Sequence, residues 1–136
     1  MKRNTSFDFI LLSLRIFLGI IFIAHGSQKL FGILSGRGIS GTISMVESMG
    51  FFLPGFLAWI LALSEFLGGL GITLGILPRT SAFLISIIML VAIFSIHVEN
   101  GFFNKNGGIE FPLLLLVVAF TIFNAGAGKY AIYNKY

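Results

Sequence analysis

The sequence contains no cysteine. That absence excludes disulfides, thiol redox chemistry, Cys-ligated zinc and iron–sulfur clusters held by this chain. Charge is also scarce. Asp, Glu, Lys and Arg make up 10% of the 136 residues, where a soluble domain carries roughly a quarter. So few charges cannot cover a water-facing surface, and 57% of the residues are hydrophobic. The solvent for most of the chain is therefore lipid. Carboxylates are fewest, five against nine Lys and Arg, for a formal net charge of +4. The basic residues are scattered among apolar segments, which argues against a nucleic-acid partner.

What remains is long apolar runs. A membrane-spanning helix needs roughly 20 mostly apolar residues, and four segments qualify: 9–31, 52–77, 80–98 and 111–127. The last two contain no Asp, Glu, Lys or Arg. Strands fit poorly, because the runs are too long and lack polar/apolar alternation. Lys2 and Arg3 precede the first run in the manner of a signal peptide. Arg15 inside the run and the missing small-residue cleavage site favour a retained first span. The expectation is an all-α integral membrane protein, a four-helix bundle forming one domain over 1–136.

The connections differ in kind. Gly32 to Gly50 begins Gly- and Ser-rich, then reads "TISMVESM", a short amphipathic helix at the interface. "LPRT", 77–80, is a tight turn around Pro78. "ENGFFNKNGGIE", 99–110, has the Gly and Asn of turns, and Pro112 suits a first helical turn. Lys2, Arg3, Arg79, Lys129 and Lys135 fall on one side, against Lys29, Arg37 and Lys105 on the other. This bias places both termini in the cytoplasm.

The polar residues inside the apolar runs are the candidates for chemistry. In "LRIFLGIIFIAHGSQKLFG", 14–32, the residues Arg15, Leu18, Phe22, His25 and Lys29 are spaced 3, 4, 3, 4 along one helical stripe. Long side chains such as Arg15 and Lys29 can instead snorkel to the interfaces; a histidine cannot. Glu65, in "LSEFLGGLGITLG", sits near the middle of the second span and needs a cation, a proton or water. By depth, Arg15 and His25 are its two expected partners. Gly68, Gly69, Gly71 and Gly75 read as a packing face, with Gly71 and Gly75 in GxxxG spacing. Arg79 reads as a topology anchor. His25, Lys29, His97, Glu99 and Glu110 gather near the outer end, with Glu65 below them and Arg15 deeper still.

Taken in order, "LRIFLGIIFIAHGSQKLFG", "SEFLGGLGITLGILPR" and "HVENGFFNKNGGIEFP" resemble the DoxX family of small bacterial membrane proteins. The resemblance runs from Leu11 to Gly126. It implies a four-helix fold in the inner membrane of a bacterium, with Arg15, His25, Gly26, Lys29, Glu65, Arg79, His97 and Glu110 at the family's positions. The family is named after a subunit associated with a terminal quinol oxidase and thiosulfate–quinone oxidoreductase. Many of its members carry an oxidoreductase label, which the resemblance extends to this chain.

Three readings compete. The first is a quinone-linked redox protein, with His25, Glu65 and His97 as catalytic residues moving protons. Arg15, Lys29 and Glu110 would bind the substrate, a cation stabilising a developing oxygen anion. With no cysteine and no nucleotide fingerprint, the electrons come from a cofactor or a partner subunit. A quinone is the favoured ligand; a haem between His25 and His97 has less support, and so has a metal ion on the same residues. The second reading is a non-catalytic anchor for a redox or stress enzyme, docked through a partner subunit or as a homo-oligomer. The third is a small-molecule or proton transporter. Each places the chain in the lipid bilayer. Arg15 is expected to neutralise a carboxylate, and His25 with Lys29 to wall an outer-facing polar pocket.

Overall fold

The computed structural model describes residues 4–133, so Lys2, Arg3 and Lys135 lie outside the described residues. Among those, five α-helices and no strands are present. α1 is Thr5–Phe31, α2 Gly38–Ser48, α3 Pro54–Leu74, α4 Pro78–Ala92 and α5 Glu110–Ala125. α4 continues through a π-helical turn, Ile93–His97, and a 3-10 turn, Val98–Asn100. A further 3-10 turn covers Asn104–Asn106.

Three stretches are long and apolar enough to cross a membrane: Thr5–Phe31, Pro54–Leu74 and Pro78–Asn100. α5, at 16 residues, is shorter. α2 is the fifth helix and covers the predicted interfacial segment, starting at Gly38 rather than Thr42. The boundaries follow local chemistry. Asn4 caps α1, its side chain accepting from the Ser6 amide at 3.1 Å. Pro54 and Pro78 each open a helix at its first position, where their missing N–H is no loss. α3 ends on Gly75 at φ +74. There the Ile76 amide donates to Gly71 O at 2.9 Å and the Gly75 amide to Ile72 O at 3.3 Å, a Schellman close.

α1 packs most extensively on α3, and α4 on α5. The α1–α3 contact brings backbone against backbone. A Cβ on Gly26 would lie 2.5 Å from the Phe66 amide nitrogen, and one on Gly69 would lie 2.7 Å from that of Ile23. A Cβ on Gly19 would meet Thr73 Oγ1. Small residues at such positions let helices approach where lipid offers no hydrophobic drive. Gly68 and Gly71 turn instead toward Ile85 and Ser81 of α4, and Gly75 packs on Ala131 and Arg15. The glycines of α3 thus serve three neighbours rather than one GxxxG face. The buried core joins Leu18, Phe22, Ile72, Ala82, Ile85, Met89, Leu115, Ala119 and Ile122. Large apolar side chains such as Phe17, Phe56, Phe94 and Phe120 face outward, as suits a lipid solvent.

The three glycine contacts pair 19 with 73, 23 with 69 and 26 with 66. That antiparallel register offsets the two helices. α3 projects beyond the C-terminal end of α1, and α2 fills the space beside it. At the opposite end α1 projects beyond α3, and residues 126–133 fold into the gap.

Candidate functional site

Lys29 and Glu65 form the site at the α1–α3 interface, near the α2 end. Lys29 Nζ donates to Glu65 Oε2 at 2.7 Å, and the side chains are 21% and 5% exposed. A short charge-assisted bond is the geometry that makes a charged pair tolerable away from water. Lys29 stands in the last turn of α1, where a cation also meets the negative end of the helix dipole. Glu65 shares the buried stripe of α3 with the fully buried Ala58, Ala62 and Ile72. The spacing 58, 62, 65, 69, 72 repeats one helical face. α2 closes the site from the side: buried Thr42 donates from Oγ1 to Lys29 O at 3.1 Å and to Gly38 O at 2.9 Å. Phe31 and Phe66 meet edge-to-face beside it, ring centres 5.5 Å apart.

This pairing corrects two expectations. Lys29 does not snorkel outward, and Glu65 is bound by neither Arg15 nor His25. The register explains why. Glu65 lies level with Ser27, twelve positions from Arg15, or about 18 Å along the axis at 1.5 Å per residue. His25 is close in sequence but turned aside. At 3.6 residues per turn it stands about 80° around α1 from Arg15, and its side chain is exposed. The face continues from Phe22 to buried Gly26 instead. His25 remains one turn from Lys29 on the flank of the pair.

Arg15 is 1% exposed and its partners are backbone carbonyls, not a carboxylate. Nε donates to Ile72 O at 2.9 Å and Nη2 to Thr73 O at 3.0 Å. Nη1 donates to Ala127 O at 2.6 Å and Tyr130 O at 2.8 Å. The last carbonyls of a helix have no partner inside it. Here the guanidinium fork serves two of them while gripping the chain beyond α5. The Ile132 amide donates to a third, Leu74 O, at 3.0 Å. Buried Asp8 completes the clamp, Oδ1 accepting from the Lys129 amide at 2.9 Å. Sequence reasoning missed Asp8; its place in the first turn of an apolar helix was the available signal.

His97 and Glu110 are engaged within the α4–α5 connection. His97 Nδ1 donates to Gly107 O at 2.7 Å, and Glu110 Oε2 accepts from the Asn104 amide at 2.9 Å. Among the described residues, no group of three or more His, Cys, Asp or Glu is placed to hold a metal ion. Arg79 donates to Asn124 O at 3.4 Å, closing the end of α5. An open, mostly apolar groove of about 440 Å³ runs between α3 and the start of α4, past Leu67, Leu74 and Leu84. None of the six predicted site residues lines it. The structure thus brings Lys29 and Glu65 together, leaves His25 beside them, and sends Arg15, His97 and Glu110 to other tasks.

The DoxX family model matches residues 10–98, a stretch that contains the pair, the α1–α3 contact and α4. The chain belongs to the DoxX family. Two DoxX relatives align along most of its length. One, from Bacillus subtilis (strain 168), bears the name "Putative oxidoreductase CatD" and is 32% identical over 124 residues, covering 91% of this chain and 84% of its own. The other, the inner membrane protein YqjF of Escherichia coli (strain K12), is 35% identical over 124 residues, covering 87% and 85%. No solved structure matches the chain. Membership and the apolar helices together make it a DoxX-type membrane protein.

Proposed function

We propose that this DoxX protein is a quinone-linked redox subunit of the bacterial inner membrane, with Lys29 and Glu65 as its proton-handling site. The observation that carries the reading is the ion pair itself. A carboxylate and an ammonium inside apolar helices cost free energy that a hydrophobic pair would not, and such residues mark function by default. The name of the Bacillus subtilis relative supports redox work, and that of the Escherichia coli relative supports the inner membrane.

Quinone reduction takes up two electrons and two protons. A partner subunit supplies the electrons in this reading. Glu65 passes a proton, with His25 one turn from Lys29 as the relay toward the surface. When Glu65 is protonated, Lys29 loses its counter-charge and becomes a donor for a negative quinone oxygen. Arg15, His97 and Glu110 hold the frame around this site. The proposal includes four crossings, α5 with its preceding loop being the fourth, and both termini in the cytoplasm.

The test is quinone-linked electron transfer in membrane vesicles, compared with vesicles lacking the protein. Glu65→Gln is expected to lower the difference on the order of 10²-fold, the usual worth of a positioned proton donor, with folded protein still present. Unchanged rates in both Glu65→Gln and Lys29→Met would remove the pair from the chemistry. One observation favours an anchoring role instead: three of the six predicted residues are spent on backbone groups. A stoichiometric partner in native mass spectrometry, with unchanged rates in both variants, would transfer the activity to that partner.

A further inference from the structure

We infer that the connection 101–109 is not a loop in water but a segment seated in the membrane's interfacial layer, where it completes the crossing that α5 begins. It rests on the fourth crossing proposed above, and three observations carry it. The first is length. Pro78–Asn100 is 23 residues and α5 is 16. At 1.5 Å per residue α5 spans about 24 Å, short of a hydrocarbon core of roughly 30 Å.

The second is alignment. The two helices are level at the tail end, where Arg79 donates to Asn124 O at 3.4 Å and the Phe83 and Phe123 rings lie 5.9 Å apart. The difference of seven residues between Pro78–Asn100 and α5 therefore falls at the other end, where the turns that continue α4 extend about 10 Å beyond the start of α5. The connection must descend beside the last turns of α4 to meet α5. His97 and Asn100 hold it there, donating to Gly107 O from Nδ1 at 2.7 Å and from Nδ2 at 3.3 Å.

The third is how the segment satisfies itself. Irregular backbone can sit at membrane depth only where its polar groups are paired. The amides of Ile109 and Glu110 donate to Gly101 O and Phe102 O at 3.0 and 2.9 Å. Those of Asn106 and Gly108 both donate to Phe103 O at 3.1 Å, and that of Gly107 to Asn104 O at 2.8 Å. Glu110 accepts the Asn104 amide. Turned inward in this way, the segment presents Phe102 and Phe103 outward, 51% and 60% exposed, in edge-to-face contact. Two exposed apolar rings on one side of a polar, self-paired backbone fit the boundary between headgroups and acyl chains. Lys105, exposed at the tip, reaches the phosphate layer by its long stem. The same arrangement gives His97 and Glu110 their work, clamping the segment from its two sides.

The absence of native cysteine makes the test direct, since a single introduced thiol is labelled alone. Nitroxide labels are placed in Phe102→Cys, Phe103→Cys, Lys105→Cys and Phe94→Cys variants of the full chain in phosphatidylcholine vesicles. Lys105→Cys leaves both phenylalanines intact, should either replacement unfold the segment. Collision with oxygen and with a water-soluble nickel chelate gives depth, calibrated with labelled lipids. Labels at 102 and 103 are expected about 5–10 Å below the phosphates, the label at 105 level with them, and that at 94 in hydrocarbon. Chelate-dominated collisions at 102, 103 and 105, with 94 still in hydrocarbon, would overturn the inference alone. A water-like signal at 94 as well would overturn the spanning of α4 and the inference with it.

Discussion

Replacing Arg15 by Met removes the guanidinium while nearly keeping the side chain's volume. The Thr73, Ala127 and Tyr130 carbonyls then lose its donors; Ile72 O keeps the Gly75 amide. Arg15 is 1% exposed, so water cannot replace it without opening the structure. At ~1–2 kcal/mol for each abandoned carbonyl, the loss comes to about 3–6 kcal/mol. That is a large share of the roughly 5–15 kcal/mol that holds a domain folded. The damage is expected to be local first. Residues 126–133 lie outside any helix and lose two of their bonds to the bundle with the guanidinium, so they should detach before α1 and α3 separate. Two assays follow it: equilibrium unfolding of the micelle-bound protein in a denaturing detergent, and the rate of tryptic cleavage after Lys129. Arg15→Met is expected to lower stability by that amount and to speed cleavage at least tenfold. Arg15→Lys keeps the charge but not the fork, and should recover less than half of the loss. Refutation would be Arg15→Met unfolding within about 1 kcal/mol of the native chain with Lys129 still protected. Full recovery by Arg15→Lys would refute the fork geometry and leave only charge.

Two further expectations concern the α1–α3 interface. Lys29→Met should destabilise by about 3–5 kcal/mol, because it leaves the buried Glu65 charge alone. Glu65→Leu should cost less, since the Lys29 stem, 21% exposed, can carry its charge toward water, and the double variant should return to near the native value; a double-mutant cycle with a coupling below about 1 kcal/mol would show that the pair does not act as a unit. Gly26→Ala forces a methyl group onto the Phe66 backbone and should cost about 1–3 kcal/mol, whereas Gly55→Ala, with nothing within 4 Å, should stabilise by about 0.5–1 kcal/mol; equal thermal shifts for the two would contradict the close approach.

Some of this protein is determined locally, and that part is legible in the sequence alone. Apolar runs of about 20 residues and the near absence of charge decide for membrane helices, because backbone amides in lipid must pair within their own segment. Pro78 falls at a helix boundary for reasons of backbone chemistry that need no neighbour, and the same chemistry trims the 52–77 run to a helix between Pro54 and Gly75. The spacing of Arg15, Phe22 and Lys29 marks an inward face correctly, since 3.6 residues per turn is a property of one helix. It misplaces His25, whose offset accumulates to the edge of that face. Glu65 stands out because any carboxylate in an apolar run needs an answer. Its partner, however, depends on how far α3 slides along α1. Gly19, Gly26 and Gly69 decide that by allowing backbone contact at one register, and no single-segment pattern encodes it. The slide opens the gap that residues 126–133 fill, so Arg15 meets carbonyls 112 and 115 positions away instead of a carboxylate. A local pattern can say that a buried charge must be satisfied; only the packed chain decides by whom.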